Sequence, residues 1–90
     1  MRITDVRVRK PANSGSIKGF ASIVIDNAIA IHDIKIIEGE KGLFMAMPAR
    51  KTSDGTHVDI AHPINNETRD LIRVAVFEAY DNLIKESKNE

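Results

Sequence analysis

The chain has 90 residues, of which 42% are hydrophobic and 29% charged, a composition typical of one soluble globular domain. It contains no cysteine, which excludes disulfides, thiolate nucleophiles and thiolate metal sites and fits a reducing compartment. No apolar run approaches the roughly 18 residues that a transmembrane helix needs, and residues 1–5 do not resemble a signal peptide. We therefore expect a cytoplasmic protein that does not bind membranes.

The net charge is zero, but the charges are distributed unevenly along the chain. Residues 1–51 contain nine Lys or Arg against five Asp or Glu, a net charge of +4. Residues 52–90 contain four against eight, a net charge of −4. Such asymmetry is compatible with a basic face that binds nucleic acid.

The first half of the chain has the alternating pattern of antiparallel strands. Val6 and Val8 alternate with polar residues in a first strand, and a flexible loop over residues 10–16 leads to a second strand over residues 17–25. A tight turn then precedes a third strand over residues 28–37. In the second strand the odd-numbered residues share one face, and the opposite face carries Lys18, Phe20, Ser22 and Val24.

The third strand contains a shift in its hydrophobic pattern. Ile29 and Ile31 occupy odd positions, but Ile34 and Ile36 occupy even ones. One extra residue would keep both pairs on the same face, so we predict a β-bulge at His32-Asp33. The alternative is a strand that is buried on both faces.

Two shorter strands follow. A hairpin loop over residues 38–42 leads to a fourth strand over residues 43–47, which Pro48 ends. Residues 49–56 are polar and include an Asp-Gly turn signal, which predicts a mobile loop. A fifth strand is expected over residues 57–61.

The convincing helical pattern begins after residue 63, where Asn65 or Asn66 can cap the free backbone N–H groups, and runs to about Lys85. Val74 and Phe77 fall on the side opposite the apolar stripe. They are either ordinary exposed apolar residues or part of a dimer interface. The stripe itself consists of Ile72, Ala75, Val76, Ala79 and Leu83.

Together these elements predict an α+β fold. An antiparallel, meander-like β-sheet of about five strands is followed by one C-terminal α-helix that packs on the sheet. We expect a single domain over residues 1–85 and a polar tail over residues 86–90. A chain of this size buries only about 60–65% of its unfolded surface, so a partner subunit could add stability.

Catalytic and cofactor sites receive little support. Gly39 and Gly42 lie in a predicted hairpin, not in the strand-loop-helix context of a phosphate-binding loop. No serine is placed beside a histidine and a carboxylate in a pattern typical of acyl transfer. We therefore predict that the protein is not an enzyme and binds no cofactor.

A metal site is the least favoured alternative. His57, Asp59 and His62 are possible ligands for zinc or iron. On an extended strand, however, His57 and Asp59 point one way and His62 the other, so they converge only if the chain bends sharply. We predict no metal site and interpret these side chains as hydrogen-bond partners of the backbone where the strand leads into the helix.

Basic side chains provide the stronger hypothesis. Arg50 and Lys51 lie together in the predicted loop, where a guanidinium binds phosphate oxygens with two hydrogen bonds and an ammonium acts as a point charge. The alternative is ordinary solvated surface charge. The few aromatic residues are interpreted as core or interface residues and not as a base-stacking platform. A second basic group crowds the end of the first strand: Arg7, Arg9 and Lys10.

Four sequence blocks are distinctive in their order and spacing. They are Thr4-Asp5-Val6-Arg7, His32-Asp33-Ile34, Gly42-Leu43-Phe44-Met45-Ala46-Met47-Pro48 and Asp59-Ile60-Ala61-His62-Pro63-Ile64-Asn65. Over residues 1–84 they resemble the stage V sporulation protein G family of septation proteins. The resemblance implies a small bacterial cytoplasmic dimer linked to septation and sporulation, which in several lineages regulates gene expression by binding DNA and RNA.

The resemblance also implies where nucleic acid binds. The family's contacts are attributed to a basic cluster shortly after a Met-Pro step, which corresponds here to Arg50 and Lys51. Some relatives carry three consecutive basic residues where this chain carries two, which implies weaker affinity or contributions from other positions. The choice of Arg7, Arg9 and Lys10 rests on charge alone.

A different class of function remains open. The chain could be a protein-interaction module of the cell-division machinery that does not bind nucleic acid directly. Its contact surface would be Val74 and Phe77 or an exposed strand edge.

Overall fold

A computed structural model describes residues 1–11 and 15–88, so residues 12–14 of the predicted loop lie outside the described residues. Four strands form an antiparallel sheet in chain order, which confirms the predicted meander, and the last two strands form a separate sheet. The elements are β1 (Ile3–Arg9), β2 (Ile17–Ile25), β3 (Ile29–Gly39), β4 (Gly42–Ala46), β5 (Ala49–Lys51), β6 (His57–Asp59) and α1 (Asn66–Lys88).

The β-bulge predicted in β3 is confirmed by the pairing of β3 with β2. One residue of β2 lies between the pairs Ala21–Ile34 and Ile23–Ile31, and it faces the two residues of the His32-Asp33 step. Asp33 adopts a left-handed backbone conformation with φ of 65°, which an aspartate tolerates better than most residues. The extra residue shifts the side-chain alternation by one position.

The bulge determines which isoleucines of β3 enter the core. Ile34 and Ile36 are fully buried, and Ile31 packs at the margin of the core. Ile29, the first residue of the strand, remains 59% exposed. The rest of the buried cluster comes from β2 and the helix: Ala21, Ile23, Ile72 and Val76.

The helix begins where the sequence predicts and continues to Lys88, beyond the expected end near Lys85. Asn65 is the cap, because its side-chain oxygen accepts a 2.7 Å hydrogen bond from the backbone N–H of Thr68. The predicted exposure of Phe77 is wrong, since this side chain is half-buried and packs against the core cluster. Val74 is 54% exposed, as predicted.

The polar segment after Pro48 forms a hairpin and not the predicted mobile loop. β5 pairs antiparallel with β6, and the Ile60 N–H extends this ladder by donating to the Pro48 carbonyl over 2.7 Å. The expected fifth strand is therefore paired outside the main sheet. In the described part of the chain, the helix α1 lacks an apolar stretch long enough to cross a bilayer.

Candidate nucleic-acid interface

The β5–β6 hairpin carries the two cations that the sequence singles out. Arg50 lies opposite Val58, and Lys51 lies opposite His57. Both cations are exposed, and neither forms an ion pair with another described residue. Because successive side chains of a strand point to opposite sides, Arg50 and Lys51 project from opposite faces of the hairpin. The sequence analysis instead predicts that both side chains lie together in one loop.

A side-chain network closes the hairpin turn. The Thr52 N–H donates to the Thr56 carbonyl over 2.7 Å, and Gly55 has a φ of 89° that favours glycine. The Asp54 carboxylate accepts hydrogen bonds from the hydroxyls of Thr52 and Thr56 and from the Thr56 N–H. These hydrogen bonds lower the pKa of Asp54 to about 2. The turn therefore fixes the ends of both strands of the hairpin.

The lowered pKa of Asp54 makes the hairpin sensitive to acid. Because the folded-state pKa lies below the ordinary value of 3.8, the stabilising contribution is present above about pH 4 and is lost as the pH falls through about 2. We expect an NMR titration of the Asp54 carboxyl carbon to have its midpoint near 2. Replacing both hydroxyls (Thr52→Val with Thr56→Val) should raise that midpoint towards 3.8.

Ser53→Ala is the matched control, since it removes a hydroxyl of the same turn that is not among the hydrogen-bond donors to Asp54. It should leave the midpoint unchanged. A midpoint near 3.8 in the parent protein would contradict the network.

A groove of about 500 Å³ lies between the edge strand β4, the hairpin and the start of α1. His57, Asp59 and His62 all line it. Within residues 1–11 and 15–88, no group of three potential ligands lies close enough to hold a metal ion. His62 Nδ1 lies 3.1 Å from the Pro63 carbonyl, which confirms the backbone contact predicted for this histidine.

Two further cations line the same groove, Lys35 and Arg69. Neither forms an ion pair with another described residue. The sequence reasoning missed both. The face on which Lys35 lies can be inferred from the alternation of β3 only after the bulge has been counted. Arg69 could have been noticed because it is an arginine near the start of a helix, where acidic side chains are favoured.

Arg7 and Arg9 lie on β1, at the opposite edge of the sheet from β4. The guanidinium carbon of Arg9 is 4.9 Å from the centroid of the Phe20 ring, a cation–π contact. Arg7 Nε is 3.1 Å from an oxygen of Asp5, and both side chains are largely exposed, so this ion pair is weak. Lys10 directly follows β1. Arg7 and Arg9 therefore belong to the main sheet, whereas Arg50 and Lys51 belong to the separate sheet formed by β5 and β6.

The fold and these surfaces define a small α+β protein with two adjacent cations on an exposed hairpin and two arginines on the edge strand β1. The sequence model of the SpoVG family matches residues 1–82. The chain therefore belongs to the SpoVG family, which confirms the resemblance predicted from the four sequence blocks.

Curated relatives span nearly the whole chain. A protein of Clostridium beijerinckii is 56% identical over 86 residues, which cover 96% of this chain and 94% of the relative. A protein of Lachnospira eligens is 60% identical over 81 residues, with 90% and 92% covered. A protein of Clostridium kluyveri is 54% identical over 90 residues, with 100% and 90% covered. Each is named "Putative septation protein SpoVG".

Proposed function

We propose that this chain is a dimeric cytoplasmic regulator of septation or sporulation that acts by binding DNA or RNA through the β5–β6 hairpin. The names of its relatives support the link to septation. The observation that carries the binding proposal is the pair Arg50 and Lys51, both exposed and both without an ion pair among the described residues. Binding requires neither a catalytic group nor a cofactor.

The opposite orientation of the two cations suits a phosphate backbone. A hairpin that meets the backbone edge-on can direct Arg50 to one phosphate and Lys51 to another on the other side of the hairpin. A guanidinium supplies two parallel hydrogen bonds and an ammonium supplies charge. A two-fold dimer would double these contacts. Such contacts position the protein on nucleic acid without reading sequence.

The test is a fluorescence-anisotropy titration of a labelled 30-base-pair duplex between 50 and 200 mM KCl. We expect the affinity of the parent protein to fall steeply with salt, because each neutralised phosphate releases counterions. The double variant Arg50→Ala with Lys51→Ala should bind at least about ten-fold more weakly at low salt. Its log-log salt slope should be less steep by up to about 2 for each protomer in contact.

The matched control is Lys41→Ala with Lys85→Ala, which removes the same charge from exposed positions outside the hairpin. It should retain most of the affinity. The proposal is wrong if the hairpin variant binds like the parent, or if the parent binds no oligonucleotide at low salt.

Exposed apolar side chains on α1 favour the second candidate, a protein-interaction module of the division machinery. Leu71 is 44% exposed and Val74 is 54% exposed, three residues apart on the helix. Phe77 is less available than the sequence predicts because it packs against the core. This function predicts that neither the parent nor the hairpin variant binds nucleic acid, so the same titration separates the two candidates.

A further inference from the structure

We propose that the open face of the four-stranded sheet binds single-stranded nucleic acid in preference to duplex. The open face is the side of the sheet away from α1, and it is centred on Phe20. The inference rests on the proposed function, since it names the class of nucleic acid and adds a second surface to the hairpin.

One row of cross-strand partners places Phe20 between two cations. Arg9 of β1 is paired with Phe20 of β2, Phe20 with Lys35 of β3, and Lys35 with Ala46 of β4. Directly paired residues project from the same face of a sheet, so Arg9, Phe20 and Lys35 share the open face. Neither Arg9 nor Lys35 forms an ion pair with another described residue. The register therefore places a cation on the strand to either side of Phe20, and Lys35 lies where this face meets the groove beside the hairpin.

A second aromatic residue lies on the same face. Phe44 of β4 is paired with Ile37, which lies two positions after Lys35 on β3. Phe44 is 49% exposed, and its ring covers Gly39, where an added Cβ would lie 3.0 Å from the ring. The open face thus carries two aromatic side chains on the side away from the helix, the half-buried Phe20 beneath the Arg9 guanidinium and the exposed Phe44.

A shallow concavity of about 290 Å³ lies beside Phe20 and can receive the edge of a base. Ser22 and His32 line it, and His32 Nδ1 lies 3.0 Å from the Ser22 hydroxyl. Asp33 also lines it and repels phosphate, but its carboxylate can accept a hydrogen bond from an exocyclic amino group. Arg7 of β1 also lines the concavity, and its guanidinium can exchange the exposed ion pair with Asp5 for a contact with a phosphate.

The aromatic surfaces determine the class of nucleic acid. In a duplex both faces of each base are covered by neighbouring bases, whereas the bases of a single strand can be splayed out and stacked on aromatic or guanidinium planes. Phe20 already accepts the Arg9 guanidinium over its ring, which shows that a planar cation has access to it. A base can stack on that guanidinium or take its place on the ring.

The bulge connects this surface with the hairpin. His32 and Asp33 line a second concavity of about 260 Å³, together with Pro48 and Ile60 at the base of the hairpin. Ile60 extends the β6 ladder and by alternation shares the face of the hairpin that carries Arg50. The two concavities share His32 and Asp33, so a nucleic-acid strand bound at Phe20 could pass the bulge towards the hairpin face that carries Arg50.

The test compares a labelled 20-nucleotide single strand with the duplex of the same sequence, by fluorescence anisotropy at fixed salt. We expect the parent to bind the single strand more tightly. Phe20→Leu, which keeps an apolar side chain but removes the ring, should weaken single-strand binding roughly ten-fold and leave duplex binding nearly unchanged. Lys35→Gln should make the single-strand salt slope less steep by about 0.7.

Ile64→Ala is the control, because it truncates an apolar side chain that is 87% exposed and lies outside both the sheet and the hairpin, and it should leave both affinities unchanged. The inference is wrong if Phe20→Leu keeps the single-strand affinity, or if the parent prefers duplex. If duplex binding depends on Arg50 and Lys51 but Phe20 has no effect, the proposed function stands and this inference fails. If neither form binds, both fail.

Discussion

Deletion of Asp33 should lower the free energy of unfolding by at least about 1 kcal/mol, and with it the melting temperature. Without the extra residue, β3 returns to a strict period of two, so either Ile34 and Ile36 or the residues before the bulge must leave the core face. Burial of each isoleucine contributes about 1.5–3 kcal/mol. Exposing Ile34 and Ile36 would therefore cost a large part of the roughly 5–15 kcal/mol by which a small domain is stable. Exposing the residues before the bulge costs less, because Ile29 is already 59% exposed and Ile31 is only half-buried. Thermal unfolding followed by far-UV circular dichroism measures the effect.

Asp33→Gly is the control for this deletion. It keeps the chain length and the bulge, and glycine adopts the observed φ of 65° without strain. We expect its free energy of unfolding to lie within about 1 kcal/mol of the parent value. A deletion variant that unfolds at the parent temperature would show that the bulge does not set the register of the core.

The bulge could be predicted from the sequence because a hydrophobic pattern of period two is strict. The isoleucines of β3 change from odd to even positions, and few backbone arrangements keep all of them on one face of the sheet. A one-residue insertion does so for both pairs. A cap at Asn65 or Asn66 was predictable for a similar reason, since a short polar side chain before a helix has a local partner three residues later. The structure selects Asn65. In both cases the determining interactions lie close together in the chain or repeat regularly.

The hairpin and the position of Phe77 could not be predicted by the same means. The strands of the hairpin are only three residues long, and the hydrogen bonds of Asp54 with two threonine hydroxyls stabilise the turn between them. The hydrophobic periodicity of the sequence gives no sign of these hydrogen bonds. Phe77 was assigned to the exposed side because the helix was expected to bury one narrow stripe. The helix instead packs on both β1 and β2, which widens its buried face.

Only part of the candidate site could be read from the sequence. Arg50 and Lys51 were found because they are consecutive and charged, but their opposite orientation depends on strand formation after Pro48. Phe20 and Lys35 are far apart in the chain and become neighbours only through the pairing of β2 with β3. A surface assembled from cross-strand partners requires the register, and the register depends on the bulge.

Ile36→Ala should lower the free energy of unfolding by about 2–5 kcal/mol, because the removed atoms leave a cavity in a closely packed core. Ile36 is fully buried, and its Cδ1 lies 3.4 Å from where a Cβ on Gly19 would be. For a domain of this size the loss corresponds to a decrease of roughly 8–40 °C in the melting temperature. Ile29→Ala makes the same change in the same strand, where the side chain is 59% exposed, and should cost less than about 1 kcal/mol.

Equal losses for the two alanine variants would contradict the assignment of Ile36 to the core and of Ile29 to the surface. The pair also separates stability from binding. Well below its melting temperature, the Ile36→Ala protein keeps the Arg50 and Lys51 side chains exposed on the hairpin, so it should bind the 30-base-pair duplex like the parent. If Ile36→Ala lowers stability and leaves the affinity unchanged, a loss of stability alone does not weaken binding. A loss of affinity in the stable variant Arg50→Ala with Lys51→Ala then reports on the interface itself.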